Sequence, residues 1–152
     1  LILFSKIKKK YSQSLKSAII KEKNKKLNTL NQWRLFAKKT IEHKNLLNNL
    51  INKYNHKVII GFGSSARSQT LLNYCNINNN KIRAIIDNNK LKQGLYTPGT
   101  NIKIISLKEG MKLKPDIIII LAWNFSKEIK DICRSIGFKG KFIIPFPLPR
   151  II

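Results

Sequence analysis

From residue 58 onward, short apolar runs alternate with polar or amphipathic stretches. The apolar runs, which we predict as strands, lie at 58–60, 82–86, 103–105, 116–122 and 141–144. Helices are predicted between them at 65–74, in one turn at 106–109, and from residue 124 or 126 to Gly137. Strands that alternate with short helices are typical of βαβ units. The pattern therefore predicts an α/β fold, with a Rossmann-like parallel sheet of about five strands and flanking helices.

A long N-terminal helix is predicted before this sheet. Apolar residues recur at three- and four-residue spacings over residues 28–54, which places them on one helical face. They are Leu30, Trp33, Phe36, Ala37, Ile41, Leu47, Leu50, Ile51 and Tyr54. Asn28 is suited to cap the start of this helix. His43 lies within it beside Glu42, and we interpret His43 as a surface residue.

The net charge of +23 changes this picture only slightly. A strongly cationic surface attracts nucleic-acid backbones, so a basic nucleic-acid-binding module is one alternative. The cations, however, are 25 Lys against 5 Arg, and Arg is the residue that bidentate phosphate recognition favours. Lys, Asn and Ile are abundant together, and all three have AT-rich codons. We therefore attribute much of the charge to genome composition and expect no nucleic-acid partner.

The cysteines and the apolar runs exclude several other classes. Cys75 and Cys133 are too few for a disulfide framework or a zinc site, and we expect both to be small buried hydrophobes in a reducing compartment. We accordingly expect no metal. The longest apolar run, 117–123, is too short to span a membrane. The sequence is interpreted as that of a soluble, cytoplasmic protein without a membrane partner.

Three of the predicted strands are followed directly by loops with hydrogen-bonding or glycine residues. These loops are 61–67, 87–100 and 123–125. In an open parallel sheet, such loops meet at the carboxyl ends of the strands, where ligands bind in a crevice. The pattern therefore predicts the position of a site before its chemistry is known.

The first loop has the spacing of a phosphate-binding turn. Gly61 permits a tight turn, Gly63 lets the backbone approach a phosphate, and Ala66 allows close packing of helix on strand. Asp87 follows about 20 residues later, where dinucleotide-binding domains carry the acid that binds ribose. These residues leave open an NAD(P)-binding domain of an oxidoreductase. A tight turn that binds no ligand would have the same pattern of glycine and alanine residues.

The second and third loops add groups that could contact a ligand. Residues 87–100 form a long connection, and loops of this length are usually functional or disordered. Tyr96, Pro98 and two glycines favour a defined shape. Trp123 and Asn124 offer a stacking surface and an amide after the fourth strand, although a tryptophan at a strand end is as often part of the core.

Several linked motifs resemble one family, the C-terminal domain of sugar-nucleotide C-methyltransferases. The resemblance runs in order from about Trp33 to the last residue. Its motifs are Gly61-Phe62-Gly63-Ser64-Ser65-Ala66-Arg67, residues 70–75, Asp87, Leu91-Lys92-Gln93-Gly94, Tyr96-Thr97-Pro98-Gly99-Thr100, Leu121-Ala122-Trp123-Asn124-Phe125 and Pro149-Arg150-Ile151-Ile152. The chain departs from the family at Phe62, where Tyr is usual, and such a change bears on the identity of the sugar.

The resemblance implies an enzyme that methylates a carbon of a deoxysugar carried on a nucleoside diphosphate, commonly beside a 4-keto group. S-adenosylmethionine would bind a middle domain, and this domain would help form the sugar-nucleotide site against it. Residues 28–152 would then be the Rossmann-like domain, and residues 1–27 the end of a truncated methyltransferase domain and a linker. Leu1 to Ile7 would be its last strand. Catalytic residues would lie upstream, so this chain alone is expected to bind no cofactor and to be inactive.

The crevice residues follow from strand-end position and the resemblance together. Gly61, Gly63, Ser64, Ser65 and Arg67 are expected to form an anion-facing turn. Lys92, Tyr96, Thr97 and Asn124 are expected to complete the crevice, with Phe62, Asp87 and Trp123 as further substrate-binding residues. The predicted partners are a nucleoside-diphosphate sugar and the chain's own upstream S-adenosylmethionine domain.

Overall fold

The computed structural model describes residues 10–152, which fall into two compact units. The first unit ends at Ile41, and the second runs from Glu42 to Ile152. The strand predicted at Leu1 to Ile7 lies outside the described residues. The domain boundary predicted at residue 28 stays a prediction.

The described part of the first unit contains helix α1 (Gln13–Asn24) and the beginning of helix α2 (Leu30–Asn52), whose later residues belong to the second unit. Helix α1 begins after Ser12, whose hydroxyl accepts a hydrogen bond from the Leu15 amide. Helix α2 is the long helix that the spacing predicts. The Thr29 hydroxyl accepts a hydrogen bond from the Gln32 amide, so Thr29 takes the capping role predicted for Asn28. None of the described residues up to Ile41 is buried, and Trp33 and Phe36 are exposed.

The second unit is built on one six-stranded sheet. Its strands are β1 (Ile59–Phe62), β2 (Ile85–Ile86), β3 (Ile104–Ile105), β4 (Ile117–Ile120), β5 (Lys141–Ile144) and β6 (Arg150–Ile151). The spatial order is β3-β2-β1-β4-β5-β6, and all neighbours pair in parallel except β5 with β6. The predicted α/β fold is confirmed. The five predicted strands form, and β6 is an antiparallel strand that the sequence reading missed.

Helices cover both faces of this sheet. Helix α3 (Ala66–Cys75) follows β1, α4 (Leu107–Lys112) follows β3, and α5 (Ser126–Ser135) follows a 3₁₀ turn at Trp123–Phe125. One buried cluster joins Leu47 and Ile51 of α2 to one face of the sheet, together with residues of α3. A second buried cluster joins α5 to the other face, through residues such as Ile129. β4 is buried throughout, which agrees with its four consecutive isoleucines.

The strand order reverses between β1 and β4, and this reversal positions the site. β2 and β3 lie to one side of β1, and β4 and β5 lie to the other. The loops after β1 and β4 therefore leave the sheet side by side and turn toward opposite faces, which opens a crevice between them.

Gly63 lets the loop after β1 pass close to the end of β4. Its φ is +96°, and a Cβ added there would lie 2.6 Å from the Cβ of Ala122. The turn therefore needs glycine both for its backbone conformation and for the space beside Ala122.

We expect Gly63→Ala to lower the free energy of unfolding by roughly 2–4 kcal/mol, since it combines a positive φ with overpacking against Ala122. Gly94→Ala is the matched control, because Gly94 has a φ of +88° but nothing within 4 Å of the added Cβ. It should cost about 1 kcal/mol. Urea unfolding followed by circular dichroism measures both, and equal losses would contradict the close approach.

Candidate functional site

A cleft lies at the carboxyl ends of the central strands, where the topology opens the crevice. Its volume is about 360 Å³. The residues that line it come from the ends of β1, β2 and β4 and from α5, and they are Phe62, Gly63, Asp87, Asn88, Ala122, Phe125, Glu128, Ile129 and Ile132. Of the predicted site residues, Phe62, Gly63 and Asp87 line this cleft.

Four backbone amides of the turn after β1 are already bonded within the protein, those of Gly63, Ser64, Ser65 and Ser68. Gly63 N donates to the Ile86 carbonyl at 2.7 Å, and Ser64 N donates to Asp87 Oδ2 at 2.7 Å. In a capping box, Ser65 N donates to Ser68 Oγ, and Ser68 N donates to Ser65 Oγ. In a dinucleotide-binding turn, backbone amides at the helix start hold a phosphate. Here the Asp87 carboxylate accepts the Ser64 amide, and the anion-facing role of this turn stays a prediction.

Asp87 joins this turn to the second loop. Its Oδ1 accepts a hydrogen bond from the Asn89 amide at 2.9 Å, and its backbone carbonyl accepts one from Gln93 Nε2 at 2.9 Å. Lys92 Nζ donates to the Ser64 carbonyl at 2.6 Å and lies 3.6 Å from Asp87 Oδ2. Asp87 and Lys92 therefore hold the two loops together as an ion pair.

The second loop folds back along β3. Gly94 N donates to the Ile104 carbonyl, Ile104 N donates to the Leu95 carbonyl, and Thr97 N donates to the Ile102 carbonyl. The predicted defined shape of this loop is therefore present in the structure.

Tyr96 and Thr97 lie in this folded-back segment and do not line the cleft. Tyr96 is exposed and forms an isolated bridge with Lys103. Thr97 is buried, its hydroxyl lies 2.6 Å from the Thr100 hydroxyl, and it accepts a hydrogen bond from Ile102 N. The Thr97 side chain thus stabilises the loop, and ligand contact by Tyr96 and Thr97 stays a prediction.

A row of stacked side chains lies beside the cleft. The Arg67 guanidinium is 5.6 Å from the centre of the Trp123 ring, and Trp123 packs on Phe146 with ring centres 4.6 Å apart. Phe146 stacks on His43 at 4.4 Å. His43 Nε2 donates to the Pro145 carbonyl at 2.7 Å, so this nitrogen carries a proton. The interpretation of His43 as a surface residue is wrong: it is half-buried, and it connects α2 to the segment after β5.

The remaining predicted residues divide between packing and exposure. Gly61 is buried in β1, where an added Cβ would lie 2.8 Å from Leu121 Cδ1. Asn124 is exposed in the 3₁₀ turn. Gly61 therefore serves strand packing in this structure, whereas the Asn124 amide is accessible from solvent.

Sequence reasoning missed the contribution of α5 to the cleft. Phe125, Glu128, Ile129 and Ile132 line it, together with Asn88. The signal was present, because residues 125, 128, 129 and 132 have the three- and four-residue spacing of one helical face. That face follows directly on the β4 loop and so extends into the crevice.

The cysteines are buried, as predicted. Burial raises the pKa of the Cys75 thiol, and it raises the pKa of the Cys133 thiol to about 11. Both are thus protonated near neutral pH and are poor nucleophiles. The described part of the chain contains no group of three or more potential metal ligands. No helix within residues 10–152 is long and apolar enough to cross a membrane.

We expect Asp87→Ala to lower the free energy of unfolding by about 1–3 kcal/mol, because it leaves the buried Ser64 amide without an acceptor. Asp131→Ala, at an exposed position on α5, is the control and should change it by less than about 0.5 kcal/mol. Asp87→Asn keeps one acceptor oxygen, so its loss in free energy of unfolding should lie between the losses of the other two variants. Urea unfolding measures the three stabilities. If Asp87→Ala leaves the free energy of unfolding unchanged, Asp87 is not the link between the loops.

Comparison with known proteins agrees with the resemblance in the sequence. Residues 2–147 match the family described as the C-methyltransferase C-terminal domain. The protein named C-methyltransferase NovU, from Streptomyces niveus, is 36% identical over 97 residues. That stretch covers 63% of this chain and 23% of the relative, so the match spans less than a quarter of the length of that protein.

Proposed function

We propose that this chain, which belongs to the family of C-methyltransferase C-terminal domains, forms the substrate-side domain of an S-adenosylmethionine-dependent enzyme. The substrate is a nucleotide-linked ketodeoxysugar, and a carbon of its sugar is methylated. The keto group makes the neighbouring C–H acidic, so that a base can remove the proton and the resulting enolate can accept a methyl group. S-adenosylmethionine would supply that methyl group. We infer that the base lies upstream of this chain, in a part of the enzyme that this sequence does not include.

The observation that carries this proposal is the crevice at the reversal of strand order, with a cation beside an aromatic ring at its border. Arg67 is exposed in the first turn of α3, where the helix dipole also favours an anion. Its guanidinium lies over Trp123, which offers a flat surface. A nucleoside diphosphate has both a charged and a planar part, so it can use both side chains.

The same structure gives little support for a cofactor bound by this chain. In an NAD or S-adenosylmethionine site at this position, the acid at the end of β2 would bind the ribose hydroxyls. Asp87 instead accepts backbone amides on both carboxylate oxygens. This use of Asp87 within the protein counts against a dinucleotide, and we infer that S-adenosylmethionine binds outside this chain.

Calorimetric titration of the 152-residue chain with dTDP, UDP, NAD and a short DNA duplex tests the proposal. Binding of a nucleoside diphosphate in preference to NAD and DNA is the expected result. Tight NAD binding would instead favour the oxidoreductase, and strong, steeply salt-dependent duplex binding would favour a nucleic-acid-binding module. Either result would overturn the proposal.

In the same titration, we expect Arg67→Ala to weaken nucleoside-diphosphate binding about tenfold, because a charge-assisted contact to phosphate is lost. The matched control is Arg83→Ala. Arg83 is also exposed, but its backbone amide bonds to Ile59 at the opposite end of the sheet. Equal effects of the two variants would remove Arg67 from the site. In the full-length enzyme, Arg67→Ala should raise the KM for the sugar nucleotide.

We also expect the purified 152-residue chain to transfer no methyl group from labelled S-adenosylmethionine to a sugar nucleotide. The reason is that the proposed base and cofactor site lie upstream. Full-length enzyme assayed in parallel provides the positive control. Turnover by the chain alone would refute this division of roles.

A further inference from the structure

The cleft has an acidic and apolar lining in a strongly cationic protein. The chain contains 30 Lys and Arg and only 7 Asp and Glu, yet two of those seven, Asp87 and Glu128, line this one cleft. Among the described residues, no lysine or arginine lines it. Asp87 is paired with Lys92, so Glu128 is the one of these two carboxylates whose charge no described residue pairs.

The rest of the lining is apolar. Phe62, Ala122, Phe125, Ile129 and Ile132 surround the two carboxylates and the Asn88 amide. Phe125 is more than half exposed, so its ring is accessible to a ligand. An apolar surface with a few well-placed acceptors is typical of sites for small, largely uncharged ligands.

A phosphate group would find no favourable partner in this cleft. The amides of Gly63 and Ser64 donate to Ile86 and Asp87, so the turn has no free donors at these positions. The Glu128 carboxylate, which no described cation pairs, would in addition repel an anion. Arg67 does not line the cleft and lies instead over Trp123.

Of the two carboxylates, Glu128 has more free sites that can accept hydrogen bonds from a ligand. Both oxygens of Asp87 accept backbone amides. The Glu128 side chain is exposed and makes no hydrogen bond or ion pair with any described residue. It lies in the first turn of α5. An ionised carboxylate only accepts hydrogen bonds, so its natural partners are hydroxyl groups.

We propose that this cleft binds the uncharged sugar ring of the ligand and that Glu128 determines its specificity by accepting hydrogen bonds from ring hydroxyls. The apolar side chains pack against the C–H groups of the ring, and the anionic part of the ligand lies toward Arg67 and Trp123. A volume of about 360 Å³ is sufficient for a monosaccharide. The inference rests on the proposed function, to which it adds the orientation of the ligand and a residue that selects the sugar.

Nuclear magnetic resonance titration of the ¹⁵N-labelled chain tests this inference, because the method detects millimolar binding and locates it. The probes are a methyl 6-deoxyhexoside, inorganic pyrophosphate and dTDP. The variants are Glu128→Gln, which removes the charge and keeps the size, and Asp131→Asn. Asp131 lies three residues further along the same helix and does not line the cleft, which makes it the matched control.

The glycoside is expected to shift the amide resonances of Asn88, Phe125 and Glu128, whereas pyrophosphate shifts those near Arg67. Glu128→Gln should weaken glycoside binding about tenfold, and Asp131→Asn should leave it unchanged. If the glycoside leaves the cleft resonances unmoved, binds both variants equally well, or is outcompeted there by pyrophosphate, the inference is wrong.

The dTDP arm separates this inference from the proposed function. Binding of dTDP near Arg67 without any glycoside in the cleft would leave the proposed function standing and overturn the sugar site. Glycoside binding in the cleft without any dTDP binding would support the sugar site and count against a nucleotide-linked substrate.

Discussion

The bond between the Asp87 carboxylate and the Ser64 amide is the contact on which the arrangement of this crevice depends. Asp87 directly follows β2 and Ser64 lies in the turn after β1, so one hydrogen bond of 2.7 Å joins the segments that follow these two strands. Lys92, in the second loop, donates a hydrogen bond to the Ser64 carbonyl and forms an ion pair with Asp87. Because an internal carboxylate accepts the Ser64 amide, this hydrogen bond of the turn forms without a bound phosphate.

The side chains around the crevice form two groups of different chemistry. Trp123 packs against the buried clusters on both faces of the sheet, so it stands between them at the strand ends. On one side lie Arg67 and the stacked rings of Phe146 and His43, and on the other lies the acidic and apolar cleft of α5. Under the proposed function, the charged end of the ligand would lie on the first side and its neutral end on the second.

Local patterns predicted most of the fold, and long-range contacts account for what they missed. Runs of isoleucine identified the buried strands, and periodic apolar residues identified α2, because both signals lie within one element. The sequence did not predict β6, because Pro145, Pro147 and Pro149 precede it and prolines are usually found outside the interior of a sheet. The role of His43 depends on Phe146, which lies about 100 residues away in sequence, and the role of Asp87 depends on Ser64. A pattern within one element cannot predict contacts between residues that lie this far apart in the sequence.

The segment that folds back along β3 and the short strand β6 have a joint consequence for how this sheet meets other proteins. Residues 94–97 occupy backbone groups on the outer side of β3, and β6 occupies those of β5. β6 is only two residues long and follows three prolines. Neither edge thus offers a long unpaired strand that could template the addition of another. Association of this unit through an extended intermolecular sheet is disfavoured, so partners are left with the helical faces and the loop-bearing ends of the strands.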